Sequence, residues 1–167
     1  LVAFMFGLVA VLLVIHPVDA LALKLSPYKG LSYALQVPDA RVIFRAWNSF
    51  SRVDLVDSPA IRSLPGLSYR YLAPPPPQRG LFVDGGDMSP VLQISPDVLN
   101  EPEAETLRFA RYLPTSVAYR LRPDGHALIL APRGGIEMWT GLSQGAGQIT
   151  AVEPNPLVVN AVGPLYG

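Results

Sequence analysis

Between His126 and Val159 the chain changes period three times within thirty-four residues, and that order restricts the fold more than any other feature. "ALILA" is a continuous apolar run of the kind buried on both faces of a parallel sheet. Gly134 and Gly135 turn it into "IEMWTGLSQG", where Ile136, Trp139 and either Leu142 or Ser143 share a helical side, and Gly145 and Gly147 can end the helix. "QITAVE" predicts a second strand. Asn155 followed by Pro156 supplies an N-cap and first helical residue for "PLVVNAV". Strand, helix, strand and helix start fit a parallel βαβ unit.

Upstream the pattern is different. From Arg41 to Ile94 it is strand-like: Val53 and Leu55 alternate with Arg52 and Asp54, and Leu67, Tyr69 and Tyr71 alternate with Ser68 and Arg70. "LFVDGGDMSPVLQI" places two apolar runs around Asp84, Gly85 and Gly86, a hairpin signal. The uninterrupted Pro74–Pro77 run predicts a stiff connector. After a polar loop, "ETLRFARYLPTSVAYRL" spaces Leu107, Ala110, Leu113, Val117 and Leu121 along one helical face, with a kink or restart at Pro114. Arg108, Arg111 and Arg120 are best read as a solvated face.

The start of the chain is apolar. "LVAFMFGLVAVLLVI" is fifteen residues long, which as a helix covers about 22 Å of a roughly 30 Å hydrocarbon layer. It is expected to be the last turns of a transmembrane helix whose span draws on residues before Leu1. A secretory signal cut near "DALA", Asp19–Ala22, and a buried core helix are the competing readings. Lys24, Lys29, Arg41 and Arg45 follow the run, and positive charge marks the cytoplasmic side.

Composition removes several functions. The 167 residues are 50% hydrophobic, enough for a core, and 13 basic residues balance 13 acidic ones, so no overall field recruits nucleic acid. There is no cysteine, and His16 and His126 stand alone, so no metal centre is expected.

The βαβ unit carries the chemistry. In nucleotide-binding folds of this order the ligand lies across the carboxyl ends of the strands, and an acid about 20 residues after the first strand accepts bonds from ribose hydroxyls. Glu153 stands 22 positions after Ala131. The candidate adenosyl site is therefore Ala131, Pro132, Arg133, Gly134, Gly135 and Glu153. A purely structural turn would use the same glycines. Glu137, one turn into the helix, needs no ligand either, because an acid there favours the helix dipole.

"LILAPRGGIEMWTGLSQGAGQITAVEPNPLVV" resembles the first nucleotide-binding segment of the spermidine synthase family, a branch of the S-adenosylmethionine-dependent methyltransferase fold. "FSRVDLVDSP", "LFVDGG" and "RFARYLPTSVAYRL" resemble that family's first strand, its hairpin and the helix before the nucleotide strand, so the likeness runs from Ser49 to Val159. The apolar start and "LSPYKGLSYAL" resemble members fused to a membrane region. The resemblance implies an α/β fold: the start of a Rossmann-like sheet, preceded by a small antiparallel β domain and the end of a transmembrane helix. It divides the chain into a partial membrane helix (1–17), a juxtamembrane segment (18–48), a β-hairpin domain (49–99) and a truncated adenosyl-binding domain (100–167).

The family transfers an aminopropyl group from decarboxylated S-adenosylmethionine to a diamine. The resemblance thus implies S-adenosylmethionine or its decarboxylated form as cosubstrate, no metal, a polyamine as second ligand, a bilayer as partner, and a membrane location with the soluble part in the cytoplasm. A homo-oligomer stays open. The family's catalytic aspartate follows a later strand, so it is expected beyond Gly167, and residues 1–167 alone are expected to be inactive. Three departures stand out. Ala131 and Arg133 replace the first two loop glycines; Met88 stands where active synthases have glutamine, near Asp84 of the implied substrate site; and Thr106, Leu107 and Arg108 replace the residues that face the diamine. A non-catalytic adenosyl-binding or sensor module, or a methyltransferase on the same fold, is the alternative.

Overall fold

A computed structural model describes residues 2–15, 24–100 and 105–166. His16, the "DALA" stretch and part of the polar loop before Glu105 lie outside the described residues. The chain is mixed α/β, with a four-stranded antiparallel sheet and a separate two-stranded parallel sheet.

The first helix, α1 (Val2–Ile15), has fourteen residues. Phe4, Met5, Phe6, Leu8, Val9, Val11, Leu12 and Leu13 are all exposed on it, so its apolar surface runs around the helix and not along one stripe. Among the described residues, no helix is long and apolar enough to cross a membrane.

A short α2 (Gly30–Ala34) follows, then β1 (Arg41–Trp47), β2 (Arg52–Asp57), β3 (Gln78–Val83) and β4 (Ser89–Leu92), paired in chain order. Because β1 pairs with β2 from Arg41↔Asp57 to Trp47↔Arg52, the sheet begins inside the 18–48 stretch and not at residue 49. Both faces are covered. Leu31 and Ala34 of α2 pack with Val56, Ile61 and Phe82 on one side. Val158, Ala161 and Val162 of the last helix pack with Val53, Leu55, Leu81 and Val91 on the other. Each fully buried leucine or valine there contributes about 1.5–3 kcal/mol relative to an exposed one. The hairpin forms as its glycines predict: Asp84 and Gly85 have φ of 53° and 65°, and the Gly86 N–H donates to the Val83 carbonyl at 3.0 Å.

Two segments differ from their sequence pattern. Residues 67–71 form turns and no strand: the Leu67 N–H donates to Leu64 and the Tyr71 N–H to Ser68. Leu67 and Tyr71 still reach the core, spaced by four residues, while Tyr69 is fully exposed. The long helical face is also broken. Glu105–Tyr112 winds as a 3₁₀ helix and α3 (Ser116–Leu121) restarts after Pro114, which has no N–H and disfavours helical backbone at Leu113. Leu107, Phe109, Ala110 and Leu113 are buried, whereas Val117 and Leu121 are exposed.

The last part follows the predicted order: β5 (His126–Leu130), α4 (Ile136–Ser143), β6 (Gln148–Val152) and α5 (Pro156–Tyr166). β5 and β6 are parallel, in register from His126↔Gln148 to Leu130↔Val152. Gly145, at φ 78°, ends α4 with a pair of bonds, Ala146 N–H to the Gly141 carbonyl and Gly145 N–H to the Leu142 carbonyl. The expected burial of β5 on both faces is not found. Leu128 and Leu130 are 65% and 70% exposed, since two strands with one covering helix leave the other face open.

Candidate functional site

The Ala131 N–H donates to the Val152 carbonyl at 2.8 Å, so the parallel ladder continues one residue past β5. The backbone then turns sharply. Ala131, Arg133 and Gly135 have φ of 51°, 48° and 83°, all left-handed. For an L-residue this costs roughly 1–2 kcal/mol. The two residues that stand where glycines are expected thus hold the backbone that glycine would hold.

Glu153, at the end of β6, fastens this loop. One carboxylate oxygen accepts from the Arg133 N–H at 3.1 Å and the other from the Asn155 N–H at 3.0 Å. A carboxylate has about four acceptor positions, so two remain. Gly134 docks the loop on the antiparallel sheet: its N–H donates to the Ser89 hydroxyl at 3.0 Å, and a Cβ there would overlap the Pro90 carbonyl. The Gly135 N–H donates to Pro132 at 2.8 Å, and Pro132 has no N–H. Every backbone donor from Ala131 to Gly135 is therefore used inside the chain.

The far end of α5 closes over the loop. The Tyr166 hydroxyl donates to the Gly134 carbonyl at 2.8 Å and its ring meets Trp139 edge-on, centroids 5.9 Å apart. Burial pushes this hydroxyl above its ordinary pKa of 10.0, with Trp139 and the Leu92 backbone pulling the other way. At the start of α5, Asn155 is buried at a polar junction. Its side-chain oxygen accepts from the Leu157 N–H and from Asn48, and its amide donates to Ser51 at 2.9 Å.

The structure brings Ala131–Gly135 and Glu153 together. Asp84 and Met88, the implied substrate residues, are engaged elsewhere. The Asp84 carboxylate accepts from the Arg52 N–H at 2.8 Å, and Met88 packs against the cluster of Leu31 and Phe82 under the sheet. Of the positions expected to face a diamine, Leu107 is buried with Trp139, Thr106 is exposed and Arg108 pairs with Glu105 at 2.8 Å. The hairpin does reach the loop, but through Ser89 and Pro90. Sequence reasoning missed these two and Tyr166. Pro90 is the one with a legible signal, because proline in a strand marks an edge whose N–H is not needed.

A cleft of about 490 Å³ runs along β5 beside α3, lined by Tyr119, Arg122, His126, Leu128, Leu130 and Glu137 among others, and its lining does not include the loop or Glu153. Burial, then the charge of Glu137, raises the Tyr119 hydroxyl pKa. Among the described residues, no group of three or more His, Asp or Glu is placed to hold a metal ion. The chain matches no protein-family profile, no curated protein and no solved structure.

Proposed function

We propose that residues 100–167 are the adenosyl-binding part of a membrane-anchored, spermidine synthase-like transferase built on the start of a Rossmann-like sheet. The cosubstrate is S-adenosylmethionine or its decarboxylated form. One observation carries the reading: a carboxylate with spare acceptor positions, Glu153, is bonded to a left-handed loop at the carboxyl ends of two parallel strands. Ribose hydroxyls would donate to Glu153, while Ala131 and Pro132 would present a wall without free backbone donors.

In aminopropyl transfer, a deprotonated diamine nitrogen attacks the carbon beside the sulfonium. The carbon–sulfur bond breaks towards sulfur, and methylthioadenosine leaves. A second reading, an adenosyl-binding sensor or a methyltransferase, is favoured by Leu107, which is buried in a core cluster, and by Met88, which packs against another.

Calorimetry on the full-length protein with S-adenosylmethionine and methylthioadenosine tests the reading. Glu153→Ala should weaken both by roughly tenfold or more, the value of a hydrogen bond to a charged group. Equal affinity in both proteins would remove Glu153 from the site. Product analysis with putrescine then separates aminopropyl transfer from the alternatives.

A further inference from the structure

The loop offers a ligand few polar groups, and their signs differ. Its backbone donors are all consumed within the chain. Glu153 keeps acceptor positions. Arg133 is exposed, and among the described residues its guanidinium has no hydrogen-bond or ion-pair partner. Its own N–H is bonded to Glu153, so the guanidinium is tethered one residue's reach from the carboxylate that would hold the ribose.

The two charges nevertheless form no ion pair. Arg133 also keeps a left-handed backbone, φ 48°, which glycine would hold without strain. An unpaired cation beside an acceptor suits a ligand that carries hydroxyl donors at one end and an anion at the other. We infer that Arg133 selects the carboxylate-bearing adenosyl ligands, S-adenosylmethionine and S-adenosylhomocysteine, over the decarboxylated form. This rests on the adenosyl reading of the same site.

The chemistry follows from the ligands' tails. In S-adenosylmethionine the tail ends in an ammonium and a carboxylate, and the carboxylate matches the planar guanidinium fork. Decarboxylation removes that anion and leaves only an ammonium, which the guanidinium repels. A charge-assisted pair of this kind corresponds to roughly ten- to hundredfold in affinity.

The probes are S-adenosylhomocysteine, methylthioadenosine and decarboxylated S-adenosylmethionine, titrated into the full-length protein and its Arg133→Met and Arg133→Lys variants. Met keeps the strained backbone and an unbranched stem while removing the charge. S-adenosylhomocysteine should bind the parent at least about tenfold tighter than methylthioadenosine, with decarboxylated S-adenosylmethionine weakest. Arg133→Met should remove the first difference, by weakening S-adenosylhomocysteine far more than methylthioadenosine. Arg133→Lys should restore part of it, and high salt should narrow it.

Equal binding of S-adenosylhomocysteine and methylthioadenosine by the parent overturns the inference and leaves the adenosyl reading standing. So does an equal loss of both on Arg133→Met. If none of the three compounds binds, the adenosyl reading itself fails and the inference falls with it.

Discussion

Ala131 and Arg133 show that residues other than glycine can take up a glycine-like turn. Their φ values of 51° and 48° place both in the left-handed region. Residue identity does not encode φ, so the sequence shows two side chains at these positions and not the backbone they adopt. The strain is testable. Ala131→Gly and Arg133→Gly should each stabilise the fold by a net of about 0.5–1 kcal/mol, because relief of left-handed strain exceeds the extra freedom glycine gives the unfolded chain. Urea denaturation measures this; a loss of stability at either site would contradict the strain argument. Tyr166 gives a pH prediction. Its folded pKa lies above 10.0, so the unfolded chain loses that proton first. Its contribution is complete below pH 10 and declines as pH rises beyond it. Tyr166→Phe should flatten the decline in stability above pH 10, measured by denaturation across that range, although Tyr71 and Tyr119, raised in the same direction, keep part of the slope.

At the scale of elements, those closed by a local signal were legible. Asp84-Gly85 made a hairpin, Gly145 ended α4, and Asn155-Pro156 opened α5. The misreadings came where periodicity was used without a partner for the element. Leu67, Tyr69 and Tyr71 alternate, but no strand lies beside them to accept their backbone, so they turn. Leu107 to Leu121 keeps helical spacing across Pro114, which divides it. "ALILA" is apolar enough for a central strand, yet only one helix covers its sheet. The α5 cap is the element with most depending on it. Asn155→Ala removes the bonds to Leu157, to the Asn48 amide and to the Ser51 hydroxyl, so it should cost about 1–3 kcal/mol. A melting temperature unchanged by this substitution would show that the junction contributes nothing net.

The whole molecule is held together by contacts far apart in sequence. α5 lies on β2, Gly134 sits against Pro90, and Trp139 shares a cluster with Leu92. Each sheet could be spelled from its own residues, but the docking of one on the other could not, because Ser89, Pro90 and Tyr166 carry no motif. The apolar α1 gives the prediction at this scale. Because its exposed side chains are apolar around the helix, the full-length protein should float with neutral phosphatidylcholine vesicles even in high salt. Deletion of residues 1–17 should abolish that flotation if this helix is the anchor; retained flotation would place the anchor elsewhere.

The Asn155 junction also has a lifetime. Asparagine ages when the backbone N–H that follows it is deprotonated and attacks the side-chain amide, and the product is an aspartate that can no longer donate. Pro156 has no such N–H. The residue that joins the β1–β2 turn, the start of α5 and Glu153 is therefore protected, by its neighbour, from the commonest chemical route by which a buried amide is lost.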